Sequence, residues 1–205
     1  MKLYYAPGTC ALAPMILAEW LELPLDIEQV NHREPDPAYL AKNPLGAVPA
    51  LELDDGTVKT QVDAILQYFC KLRPDSGLDG GPDKLDSFEL HRWVAFLTGD
   101  FHPPFGAWFN PRRFTTDHSD AGLAAVKEAV AERIARVTQV LEDQLGDDGH
   151  VALGRRTLLD AYAYAMVRWI RLLPGGFEPY PKLAAFMSAM SDDSGVQRAL
   201  AREAG

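Results

Sequence analysis

Cysteine is scarce in this chain: only Cys10 and Cys70 occur among 205 residues. Two thiols cannot build the dense disulfide framework of a small secreted scaffold, so reduced thiols in a cytoplasm are the expectation. Neither has a second cysteine at metal-ligand spacing, and His32, His91, His102, His118 and His150 are scattered, so no metal site is expected. Positive charge is in deficit as well, 20 Lys plus Arg against 29 Asp plus Glu. That balance disfavours nucleic acid and anionic membranes as partners. No apolar run nears the ~20 residues that a bilayer span requires. Met1 to Gly8 carries one charge and a turn where a secretory signal would carry a long apolar stretch. Neither an internal repeat nor a low-complexity tract is found. What these absences leave is a cytoplasmic protein with a small-molecule partner.

What is present is enough apolar residue, 47% of the chain, for one large or two small packed domains. Lys2 to Tyr5 reads as a buried strand ahead of the Pro7-Gly8 turn. Leu12, Met15, Ile16 and Leu21 recur near a 3.6 period, so a helix is expected over 11–23, with Pro14 tolerated in its first turn. Leu25 to Val30 alternates as a half-buried strand does. After a helical spacer at Ala38 to Lys42, residues 48–60 read as a hairpin turning at Asp54-Asp55-Gly56. Asp63 to Leu72 reads as a helix closed by Pro74. The order is βαβ, spacer, ββα: a mixed sheet covered by helices over residues 1–76. The glycine and proline cluster at 77–83 reads as a linker. From residue 84 to 205 every signal is helical, most plainly in the stripe Val126, Val130, Ile134, Val137, Leu141, Leu145.

Three features could carry chemistry or order it. Cys10 lies between a turn and a helix start, where free N–H groups and the dipole favour a thiolate; Cys70, mid-helix, reads as a small buried hydrophobe. Pro49 opens an apolar strand without a donor for the ladder. A cis Val48–Pro49 bond would turn the Val48 backbone outward to pair with an extended ligand, and an ordinary trans edge proline satisfies the same pattern. Thr157 and Asp160, three apart ahead of an apolar helix, form a capping box worth about 1 kcal/mol, a folding element with no assigned chemistry.

The blocks Tyr4 to Pro14, Asn43 to Leu51, and Asp54-Asp55-Gly56 with Gln61 to Tyr68 resemble, in order and spacing, the glutathione transferase family, in particular its bacterial beta class. The likeness continues through Phe101 to Pro111, Gly154 to Asp160 and Tyr180 to Gln197. It implies an α/β thioredoxin-like domain followed by an all-helical one, in a homodimer. By the same resemblance, glutathione is the co-substrate, pairing with the Val48–Pro49 backbone while its γ-glutamyl carboxylate meets Gln61 and Val62 at a helix start.

Cys10 would then face the ligand sulfur, with His102 approaching from the second domain and Tyr5 a further phenol within reach of it. Phe105 and Trp108, with Phe101, Phe109, Tyr162 and Trp169, are the candidates to wall an apolar electrophile site. His32 and Arg33 could meet the glycyl carboxylate, or be plain solvated loop charges. The implied activity is conjugation of glutathione to an apolar electrophile, or its exchange through a Cys10 mixed disulfide. The alternative is a non-catalytic binding or regulatory protein on the same scaffold. Ala11, Val62, Ala95 and Pro103 depart from the family pattern, and Gln61 stands where an acidic residue is commoner. Loss of the side-chain hydrogen bond at Val62 alone implies affinity weaker by about 1 kcal/mol.

Overall fold

The computed structural model describes residues 1–205. Its first part is a four-stranded sheet in the order β2-β1-β3-β4, from β1 (Lys2–Tyr5), β2 (Asp26–Gln29), β3 (Ala50–Glu52) and β4 (Val58–Thr60). β1 runs parallel to β2 and antiparallel to β3, so Leu3 sits between Ile27 and Leu51. Around the sheet lie α1 (Leu12–Trp20), α2 (Pro37–Lys42) and α3 (Val62–Lys71). The second part is helical: α4 (Lys84–Phe96), α5 (His102–Phe109), α6 (Asp120–Gln144), α7 (Leu158–Val167), α8 (Pro181–Asp192) and α9 (Ser194–Ala204). A thioredoxin-like domain followed by a helical one is therefore the fold. None of its helices is long and apolar enough to cross a membrane.

Every residue of α1 from Leu12 to Ala18 is buried, because a helix apolar on all sides must be enclosed on all sides. It packs against α3 on the sheet side and against α7 and α9 on the helical side. One continuous core of 49 residues, from Leu3 to Ala199, results. The residues just ahead of α1 thus lie where the two parts of the chain meet.

Local sequence explains the departures from expectation. The hairpin ladder begins at Ala50, two residues later than expected, because Pro49 has no N–H to contribute and Val48 stays outside the ladder. The stripe on α6 is buried only at its C-terminal end, through Ile134, Val137, Leu141 and Leu145, whereas Val126 and Val130 stay half-buried. Between α4 and α5 the backbone forms a π-turn at Leu97–Phe101. Pro103 and Pro104 cannot donate to the carbonyls four residues back, and the wider turn absorbs the gap. The capping box forms as read: Asp160 accepts the Thr157 N–H at 2.7 Å, and Thr157 Oγ1 accepts the Leu159 N–H at 3.2 Å.

Candidate active site

Cys10 follows the turn Ala6 to Thr9, in which Gly8 adopts φ +78°, a backbone suited to glycine. The Thr9 hydroxyl closes the turn on the Ala6 carbonyl at 2.7 Å, and Ala13 N–H reaches back to the Cys10 carbonyl at 3.0 Å. Cys10 is 5% exposed, and its sulfur donates to the Val48 carbonyl at 3.8 Å. Burial pushes the thiol up to about 12, against a smaller downward pull from its own backbone and Arg168. The expected thiolate is thereby corrected. Removal from water costs an anion more than the start of α1 returns, so the resting sulfur is a neutral S–H.

The opposite wall is the segment Asn43 to Pro49. Its Ala47 carbonyl accepts both the Tyr39 hydroxyl at 2.6 Å and the Asn43 side-chain amide at 2.8 Å. Both side chains are nearly fully buried, and Asn43 also takes the Leu45 N–H at 3.2 Å. Fixed in this way, the chain enters a cis Val48–Pro49 bond, the geometry the sequence pattern had allowed. The Val48 N–H makes no hydrogen bond within the chain. An extended ligand laid along Val48 would therefore find a free donor beside a buried sulfur.

At the start of α3, Gln61 holds φ +75°, one of three non-glycine residues with positive φ. Such a conformation costs about 1–3 kcal/mol and persists where the surroundings dictate it, commonly at functional sites. It delivers Val62 as the first residue of α3, whose opening N–H groups have no partner inside the helix. Val62 itself is buried, so its side chain brings packing and no polar group.

His102 begins α5, and its ring lies against that of Trp169 with centroids 5.1 Å apart. Burial holds its pKa below the usual imidazole value, so the neutral ring is favoured. Trp169 in turn donates its indole N–H to the Gly8 carbonyl at 2.8 Å, which links His102 to the turn carrying Cys10. Tyr5 does not share this place. Its hydroxyl donates to the Arg202 carbonyl at 3.4 Å, so the phenol expected near the sulfur is committed to α9.

The electrophile wall also needs correcting. Phe105 is fully buried between Phe101, Phe109 and Trp169 and cannot touch a ligand. Phe109 is the more open ring, 43% exposed and edge-on to Trp169. Trp108 is half-buried under the ammonium of Lys127, 5.5 Å from its ring centroid. Tyr162, at the centre of the core, has a hydroxyl with no hydrogen-bond partner.

His32 and Arg33 line a cavity of about 410 Å³ together with Ala6, Pro7, Gln29, Val30 and Asn31. Its floor is the turn that leads to Cys10. Burial first, then the charges of Arg33 and Arg113, hold His32 below the usual imidazole value. The somewhat larger hollow of about 450 Å³, between Met1, Leu53, Tyr68 and Arg73, contains none of the candidate residues.

Sequence reasoning missed the residues that hold the Cys10 turn from outside. Arg168 donates to the Thr9 carbonyl at 2.8 Å, and Glu203 accepts the Gly8 N–H at 3.1 Å. Neither belongs to a local motif; only the rarity of a charged residue among the apolar neighbours of Arg168 could have pointed to one of them.

A thioredoxin-like sheet with a cis proline facing a cysteine, joined to a helical bundle, defines a class, and comparison with known proteins agrees. The model described as glutathione S-transferase, N-terminal domain, matches residues 9–72, and that of the C-terminal domain matches 90–193. The chain belongs to the glutathione S-transferase family. Its relatives include bacterial proteins matched over nearly their whole length. Glutathione S-transferase GST-4.5 of Xanthomonas campestris is 32% identical over 204 residues, 99% of this chain and 98% of its own. A beta-class enzyme from Sphingomonas chungbukensis superposes with a TM-score of 0.86 at 30% identity, covering 99% of this chain and 98% of that one. A sphingomonad glutathione S-transferase complexed with glutathione gives 0.86 at 31%, covering 100% and 99%.

Proposed function

We propose that this protein is a glutathione transferase that lays glutathione along Val48, with the ligand's thiol against Cys10. The observation that carries the reading is the contact between the Cys10 sulfur and the Val48 carbonyl, next to an unpaired Val48 N–H. Gln61 and the first N–H groups of α3 suit the γ-glutamyl carboxylate, and the cavity at His32 and Arg33 suits the glycyl one. The relative complexed with glutathione supports the same ligand for this chain.

The chemistry then asks for a sulfur anion. A thiol resembling that of cysteine has a pKa of about 8.5, and lowering it by two units takes about 2.7 kcal/mol of preferential interaction. In the conjugation arm, the neutral Cys10 S–H donates to the glutathione thiolate, which attacks the electrophile and displaces its leaving group. His102, neutral and partly buried, is the candidate to lend a proton-bearing nitrogen nearby. In the exchange arm, the Cys10 thiolate attacks one sulfur of glutathione disulfide. That S–S bond breaks, a protein–glutathione disulfide forms, and the second glutathione leaves as a thiolate that takes up the proton Cys10 lost. The buried, neutral state of Cys10 favours the first arm.

A homodimer within a cytoplasm completes the reading. Leu85 and Phe88, one turn apart on α4 and 78% and 67% exposed, form an apolar face that a second copy would cover. Incubation with glutathione disulfide followed by mass spectrometry of the Cys10 peptide tests the exchange arm; an unmodified Cys10 ends it. Retention on immobilised glutathione tests both arms. Neither retention nor a melting shift at millimolar glutathione would leave a binding protein on a transferase scaffold.

A further inference from the structure

We propose that Arg168 and Glu203 form a positioning pair for Cys10: together they fix the Gly8–Thr9 turn, and Arg168 supplies the fixed positive charge behind the sulfur. This rests on the reading of Cys10 as the residue that meets the ligand thiol.

The geometry is specific. The Arg168 guanidinium forks onto Glu203 with both distances 2.7 Å, and it also anchors to the Ala165 carbonyl at 3.1 Å. The nitrogen Nη2 that bonds Glu203 also donates to the Thr9 carbonyl at 2.8 Å. Glu203 Oε1 accepts the Gly8 N–H, and Trp169, next to Arg168, takes the Gly8 carbonyl. The Gly8 N–H, the Gly8 carbonyl and the Thr9 carbonyl are thus all held from the helical domain. Side-chain exposures of 14% and 9% place the pair out of bulk water, where a charge-assisted fork is worth most and a lone charge costs most.

The charges around Cys10 make the pair more than a staple. From the segment after α7 comes Arg168, and from α7 itself the hydroxyl of Tyr162, which senses Cys10. α9 brings Glu203 and α5 brings His102, held neutral and reached through Trp169, whereas Asp63 of α3 bears on the Tyr162 hydroxyl and not on the sulfur. Arg168 is the one cation among them that bears directly on the sulfur. Glu203 both holds it and offsets it. The pair therefore sets how readily Cys10 ionises, in a direction that depends on which partner is removed.

The experiment is the pH dependence of Cys10 alkylation by iodoacetamide, read on the Cys10 peptide by mass spectrometry so that Cys70 does not interfere. It is run without glutathione, so a chain that fails to bind glutathione can still pass or fail it. Glu203→Gln keeps the hydrogen-bond shape and frees the Arg168 charge, so the apparent pKa of Cys10 falls by about half a unit or more. Arg168→Met leaves Glu203 alone, so the pKa rises by a similar amount. Arg168→Lys keeps the charge without the fork and leaves the pKa near that of the native protein. Glu203→Gln and Arg168→Met shifting the same way, or neither shifting, overturns the proposal, because loosening the turn would act alike in both. If Arg168→Met does not fold, Glu203→Gln and Arg168→Lys decide: a fall in the first with the second unmoved supports the charge account, and any other result overturns it.

Discussion

The two walls of the site are held in different ways. The Val48 wall is fixed from within its own segment: Tyr39 and Asn43 converge on the Ala47 carbonyl from eight and four residues away. The Cys10 wall is fixed from the far end of the chain, by Glu203, Trp169 and Arg168 at separations of 195, 161 and 159 residues. One wall is held by the thioredoxin-like domain alone; the other adds to its own local turn bonds a set of contacts that form only when both domains have docked. In the proposed site the helical domain thus holds the turn that carries Cys10 even where it touches no ligand.

Breaking the distant wall has the largest expected effect. Arg168→Ala strands Glu203 as a buried charge, and the loss is about 3–5 kcal/mol of unfolding free energy. Urea unfolding measures it, and a loss no greater than that of an exposed pair, such as Arg136 with Glu132, would contradict it. The local wall yields less. Tyr39→Phe removes one of two donors to the Ala47 carbonyl and costs about 1 kcal/mol. Asn43→Ala combined with it is expected to cost more than the two single losses added, because each donor covers for the other at that carbonyl.

The smallest effect is a pH dependence. Burial lowers the His102 pKa in the fold, so stability is fully present above the unfolded-state value of about 6.5 and is lost as pH falls toward the folded one. His102→Phe keeps a ring against Trp169 and removes the titration. Melting temperatures taken across that acid range should fall less steeply in the variant than in the native protein; equal slopes would show that His102 bears no such load.

The same division governs what the sequence made legible. Cys10 after a turn, the Val48–Pro49 pattern and the Thr157–Asp160 box are local signals, and each element stands where the spacing implied. Arg168 and Glu203 carry no such signal. At the end of an apolar helix and in an amphipathic one, a charged residue reads as solvated until distant segments are brought together. Aromatic identity was similarly silent: nothing in Phe101 to Phe109 distinguishes the enclosed Phe105 from the open Phe109. The ionisation of Cys10 misled for a related reason. A helix start is visible in sequence, whereas the enclosure that overrides it comes from the folded surroundings of the sulfur, the Val48 segment among them.

The account stands most directly on where glutathione sits, and amide chemical shifts recorded during a glutathione titration report that. The Val48 amide, which has no partner within the chain, should show one of the largest shifts and saturate together with Val62. A titration that moves amides elsewhere while Val48 and Val62 stay still would contradict the site described above.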